Sequence, residues 1–176
     1  MSGLRFRQSP HHLARAEFVA GFGRVYEHSP WIAETLFDRG LDPAHDQLDS
    51  LAVALQEIVE AGGEVRQLAL LRAHPDLAGK LAMAGELTPE SRGEQAGAGL
   101  DQCSPAEFAR FQELNRSYTA RFGFPFILAV KGKSRAEILA AFEMRVKNDT
   151  RTEFRTALDQ VHRIAYLRLR DLCGPT

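Results

Sequence analysis

Ser104-Pro105-Ala106-Glu107, Ser134-Arg135-Ala136-Glu137 and Thr150-Arg151-Thr152-Glu153 carry the same local signal, a hydroxyl residue followed three positions later by Glu. In such a capping box the hydroxyl accepts from the N3 amide and the Glu reaches back to the N-cap amide, so a helix can start without orphan donors. Each box precedes an apolar stripe of helical period. Phe108, Phe111, Leu114, Tyr118 and Phe122 follow the first and run to Gly123. Ile138, Leu139 and Phe142 follow the second, and Phe154, Ala157, Leu158, Val161, Ile164, Ala165 and Leu172 the third. The C-terminal half is thereby committed to helix.

The N-terminal half follows the same rules. Leu13, Val19, Phe22, Val25 and Tyr26 form a stripe that stops before Ser29-Pro30, where Ser29 can cap a helix opened by Pro30 and Trp31 and closed by Gly40. Leu48, Leu51, Ala52, Leu55, Ile58 and Val59 make a further stripe ending at Gly62-Gly63, and Val65 to Leu71 continue in helix until Pro75. Thr88-Pro89 starts another helix by the cap-then-proline rule. Only Phe124 to Val130, apolar, short and interrupted by Pro125, reads as extended. With no βαβ alternation, hairpin signal or repeat, the expected fold is all-α, a single compact domain over residues 1–176 with about eight helices.

Composition narrows the partners. Lys plus Arg (22) nearly balances Asp plus Glu (23), so no global field attracts nucleic acid or an anionic membrane. Cys103 and Cys173 stand far apart without a CxxC pair, which reads as free thiols in a reducing compartment. No signal-peptide h-region and no window of about eighteen apolar residues is present, so the expected location is cytoplasmic. The six histidines show no HExxH, HxH or clustered acid spacing, so no metal is expected. Nucleophile elbows, Gly-rich phosphate loops and dinucleotide fingerprints are also missing.

Several residues sit where a core would not place them. His74, followed by Pro75 at a helix end, carries the one common side chain that exchanges protons near neutrality, although a histidine there also serves as a cap or surface residue. Ser91, Glu94, Gln95 and Ala98 share one helix face at i, i+3, i+4 and i+7, and that face is polar. Arg168 falls on the apolar stripe of the last helix, and Arg145 lies at i+3 from Phe142. An inward guanidinium needs a carboxylate partner or an anionic ligand. Asn148-Asp149 offer Arg145 a local partner, which favours Arg168 as the anion contact and leaves Arg145 as the alternative.

His74-Pro75-Asp76-Leu77, the Leu87 to Gln95 stretch, Leu114-Asn115-Arg116-Ser117-Tyr118, Phe122 to Ile127 and Ile164 to Leu169 accumulate in one order, with Ser29-Pro30-Trp31 near the start. Together, from about Phe18 through Leu172, they resemble the OHCU decarboxylase family of urate breakdown. The resemblance implies an all-helical, cofactor-free homodimer that decarboxylates 2-oxo-4-hydroxy-4-carboxy-5-ureidoimidazoline to (S)-allantoin. His74 then matches the catalytic histidine and Glu94 the acidic residue beside it. Pro75, Ser91, Arg92, Gly93 and Gln95 match substrate-binding positions, as do Phe126, Ile127, Leu128, Ala129 and Val130. Arg168 matches the arginine expected near the substrate carboxylate, while Lys80 and the Asn148 region have no assigned role.

The chemistry agrees with a cofactor-free reaction, because an imine-like C=N beside the carbon that loses CO2 accepts the electron pair. A Pro-interrupted segment such as Phe126 to Val130 can offer amides to ring and ureido carbonyls, whereas a regular helix has already paired its own. Whether His74 acts as acid, base or both is open from sequence. The competing readings are a lyase on another ureido or cyclic amide substrate, and a non-enzymatic helical module whose Ser91, Glu94 and Gln95 face binds a partner.

Overall fold

Helix starts set most of the architecture. The computed structural model describes residues 3–79, 82 and 84–174. Among them lie eight α-helices: α1 (Arg15–Phe22), α2 (Trp31–Arg39), α3 (Leu48–Ala61), α4 (Gly63–Arg72), α5 (Pro89–Gly97), α6 (Pro105–Phe122), α7 (Arg135–Arg145) and α8 (Thr150–Asp171). Extended pairing among the described residues is limited to isolated bridges at Arg5–Gln47 and Phe6–Cys173. No helix among the described residues is long and apolar enough to cross a membrane.

The boxes at Ser104 and Ser134 form as the sequence predicts. Ser104 Oγ accepts from Glu107 N at 3.1 Å while Ser104 N donates back to Glu107 at 3.0 Å, and Ser134 and Glu137 repeat the exchange at 3.2 and 2.7 Å. Thr88 caps α5 by accepting from Ser91 N at 3.2 Å, and Gly123 closes α6 at φ 77°.

Three local expectations fail for physical reasons. The third box does not form: Asp149 Oδ1 accepts from Thr152 N at 2.9 Å, and Glu153 is fully buried and turned to tertiary partners. Helix α1 stops at Phe22 before Gly23, and Val25 and Tyr26 are buried from an irregular turn that passes through His28 at φ 46°. Ser29 does not cap α2 with its side chain, because its hydroxyl donates back to the Glu27 carbonyl at 2.9 Å.

The chain divides into two compact units. The first comprises residues 1–73 and 162–176, and the second residues 74–161. In the first, α1 packs on α2, α2 on α3 and α3 on α4 around buried Phe18, Ile32, Leu51, Leu55 and Val59. Phe18 stacks on Phe22 with centroids 5.1 Å apart, and Phe6 meets Phe22 edge-on at 5.1 Å.

The second unit is built on an aromatic cluster. Tyr118 of α6 stands within 6 Å of the rings of Phe122, Phe124, Phe126 and Phe142. Phe126 stacks on Phe142 at 3.9 Å and 10°. Phe124 to Val130, read from sequence as extended, run without regular secondary structure and form no strand. Their side chains are mostly buried and anchor a backbone that lies outside any helix or sheet.

Candidate active site

Helix α4 ends at Arg72, so His74 begins a loop, and the residue is 8% exposed. The loop is shaped by distant carboxamides. Gln95 accepts from Ala78 N at 3.1 Å through Oε1 and donates to the Asp76 carbonyl at 3.2 Å through Nε2. From α6, Gln112 donates to the Ala78 carbonyl at 2.8 Å and Asn115 to the Leu77 carbonyl at 3.0 Å. These bonds hold Ala78 at φ 49°, a left-handed conformation that costs a non-glycine residue about 1–2 kcal/mol. Gly79 must follow, because a Cβ there would stand 2.6 Å from Asp76 Cβ.

Helix α5 delivers the polar face. Ser91 and Gln95 are buried, Glu94 is partly exposed, and Arg92 and Gly93 lie toward solvent. Gln95, next to Glu94 in the chain, therefore ties the helix carrying Ser91 and Glu94 to the loop carrying His74 and Pro75. Burial raises the Asp76 carboxyl above its ordinary value. Arg92 donates to the Gly85 carbonyl at 2.9 Å. Lys80 lies outside the described residues.

A cavity of about 590 Å³ in this unit is bordered by Ala78, Leu87, Arg92, Gln95, Ala96 and Phe108 among others. His74, Ser91 and Glu94 are not among its described lining residues. On a helix of 100° per residue, Arg92 and Ala96 point away from the face of Ser91 and Glu94, with Gln95 between them.

The segment Phe126 to Val130 is buried throughout. Ala129 N donates to Gln160 Oε1 at 3.0 Å, and the Ile127 carbonyl accepts from Arg145 Nη1 at 2.6 Å. The Val130 carbonyl accepts from Lys133 N at 3.0 Å, so three of its backbone groups are committed to protein. The amides of Ile127, Leu128 and Val130 have no acceptor among the described residues.

Both inward arginines have carboxylate partners. Arg145 meets the fully buried Glu153, and not the Asn148-Asp149 pair expected from sequence, with Nε at 2.7 Å from Oε1; Asn148 and Asp149 turn their side chains to Glu153 and Thr152. Glu153 also accepts from Tyr118 Oη at 2.5 Å and from Asn148 Nδ2 at 3.0 Å. Burial, and then this bond to Glu153, push the Tyr118 phenol well above its ordinary value. In the first unit Arg168 Nη1 stands 2.8 Å from Glu27 Oε2, both side chains buried.

Sequence reading missed the clamps Gln112 and Asn115. A signal existed for Asn115, which lies at i+4 from Phe111 and i−3 from Tyr118 on the buried stripe of α6. A polar residue there needs a partner, and the His74 loop supplies it.

These features define an all-helical chain whose second unit joins a buried histidine turn to an acidic helix. A family model described as OHCU decarboxylase matches residues 11–170. A 2-oxo-4-hydroxy-4-carboxy-5-ureidoimidazoline decarboxylase of Haloferax volcanii is 48% identical over 154 residues, 88% of each chain. A crystal structure of (S)-allantoin synthase superposes with a TM-score of 0.72 at 33% identity, covering 93% of this chain and 52% of that one. A crystal structure of OHCU decarboxylase in the presence of (S)-allantoin superposes at 0.67 with 25% identity, covering 85% and 94%. The chain belongs to the OHCU decarboxylase family.

Proposed function

We propose that this protein decarboxylates 2-oxo-4-hydroxy-4-carboxy-5-ureidoimidazoline to (S)-allantoin in urate degradation, without a cofactor, using His74 and Glu94 to handle protons. The observation that carries this reading is the Gln95 clamp, whose two hydrogen bonds fasten the His74 loop to the helix bearing Glu94. One scaffold thereby holds an imidazole and a carboxylate.

The reaction needs little else. The bond from C4 to its carboxylate breaks, and the electron pair flows into the adjacent C5=N. The nitrogen of C5=N, which takes the electron pair, picks up one proton, the C4 hydroxyl proton leaves as the carbonyl forms, and a second proton arrives at one face of C5, so that substrate carboxylate and one net proton give allantoin and CO2. His74 and Glu94 serve the transfers at the hydroxyl and at C5, and fixed orientation supplies the remainder. Pro75, Ser91, Arg92, Gly93 and Gln95 frame the substrate, with Gln95 doing so largely by holding the loop. The amides along Phe126, Ile127, Leu128, Ala129 and Val130 receive its carbonyls, with Ala129 N excepted because Gln160 takes it.

For Arg168 the role is recognition of the substrate carboxylate. Its Nη1 donates to Glu27 Oε2 at 2.8 Å. The active form is a homodimer, and an active monomer of 19.6 kDa in sedimentation would refute that.

The test uses freshly generated substrate and follows CO2 release with the circular dichroism of (S)-allantoin. His74→Ala and His74→Asn should lose about 10² to 10⁴ in turnover with helical far-UV signal intact. A folded variant with near wild-type turnover removes His74 from the mechanism. Activity should survive dialysis against chelator, and loss restored by a divalent ion would overturn the cofactor-free reading.

A further inference from the structure

Arg145 uses its guanidinium in two directions at once. Nε and Nη2 face Glu153 Oε1 at 2.7 and 2.5 Å, while Nη1 reaches the Ile127 carbonyl at 2.6 Å. Its Cζ lies 4.4 Å from the centroid of the Phe126 ring, itself stacked on Phe142. Both Glu153 oxygens are occupied, so the carboxylate fixes the arginine and the arginine fixes Ile127.

In a trans peptide the C=O of one residue and the N–H of the next point in opposite directions. Holding the Ile127 carbonyl on Arg145 therefore turns the Leu128 N–H away from Arg145. The next peptide is held from its other end: Ala129 N donates to Gln160, which turns the Leu128 carbonyl away from Gln160. A cationic donor on the Ile127 carbonyl also polarises that peptide and strengthens its amide as a donor. A merely structural ion pair would need no bond to this backbone.

We infer that Arg145 is a positioning residue for the decarboxylation: locked by Glu153, it sets the Leu128 amide as a preorganised donor to a substrate oxygen other than the departing carboxylate. This rests on the reading that Phe126 to Val130 line the substrate site. Product should feel it as much as substrate, since the oxygen concerned survives the loss of CO2. Arg168, assigned to the carboxylate, should matter to substrate alone.

The experiment compares Arg145→Lys, Arg168→Lys and Tyr118→Phe in the full chain, reading KM, kcat, (S)-allantoin affinity and the Leu128 amide resonance of ¹⁵N-leucine protein. Arg145→Lys keeps a charge but loses the fork, so KM and the product Kd should each rise about tenfold, with kcat within about twofold. The ligand-free Leu128 resonance should move. Arg168→Lys should raise KM without changing product affinity or that resonance. Tyr118→Phe, which removes a donor to Glu153 without touching Ile127, should lower Tm and leave KM unchanged. A folded Arg145→Lys with unchanged KM, product affinity and Leu128 resonance overturns the inference. Wild-type protein that fails to turn over substrate overturns the reading beneath it, while the Leu128 resonance still tests the positioning.

Discussion

Each unit of the molecule sets an arginine on a buried carboxylate, and the two pairs are built differently. Arg168 Nη1 stands 2.8 Å from Glu27 Oε2, and its contact to the Arg24 carbonyl is a marginal 3.5 Å. Arg145 and Glu153 sit in a network that adds a phenol, a carboxamide and the backbone of the Phe126 to Val130 segment. An arginine stripped of its buried partner keeps its charge, so the cost of breaking a pair scales with how many other groups are orphaned with it. The network should therefore be the harder of the two to break.

The largest expected effect follows directly. Glu153→Ala should cost about 5 kcal/mol and Glu27→Ala about 3 kcal/mol in denaturant unfolding, since the first also strands Tyr118 and Asn148. Equal losses would erase the distinction drawn between the pairs. Next comes Glu94→Gln, which touches neither pair and should lower turnover strongly while substrate binding changes little, because the amide keeps hydrogen bonding and loses basicity. A variant that weakens binding alone would make Glu94 a positioning residue. Arg168→Lys is smaller: KM should rise about tenfold with Tm nearly constant, whereas a clear fall in Tm with kinetics that track the unfolded fraction would make the Glu27 pair its whole role.

The smallest effect concerns a pair that, unlike the arginines, titrates. Burial pushes the Asp46 carboxyl up, but hydrogen bonds from His11 and Ser9 outweigh it and hold the group below its ordinary value. A depressed carboxylate stabilises the fold above its unfolded pKa, about 3.9, and the contribution is lost as pH falls through the folded value. Asp46→Asn should flatten the decline in stability below about pH 4, and an unchanged acid limb would show that the pair contributes nothing.

What was legible in the sequence divides along the same line between local and distant partners. Caps at Thr88, Ser104 and Ser134 were readable because donor and acceptor lie within four residues. Thr150 to Glu153 has the same pattern and failed, because Glu153 gains more from Arg145, Tyr118 and Asn148 than from a backbone amide in its own first turn. At the candidate site the reactive residue types were visible, and so was the irregular stretch at Phe126. The anchors were not. Gln112 and Gln160 look like ordinary polar helix residues until the fold brings them to a backbone, and Asn115 betrays itself only by its place on an apolar stripe.

The loop that follows His74 has a consequence for how the protein is switched on during folding. Its bends are imposed by side chains 17, 34 and 38 positions downstream in sequence. The bonds to the Ala78 backbone from Gln95 and Gln112 come from α5 and α6, so a nascent chain that ends at Gly79 lacks them. The histidine acquires its setting only when α5 and α6 have docked, and it should be the first thing lost when they loosen. In mild denaturant the amides of residues 76–79 should exchange with solvent, and turnover should vanish, while far-UV helicity is still near its native value.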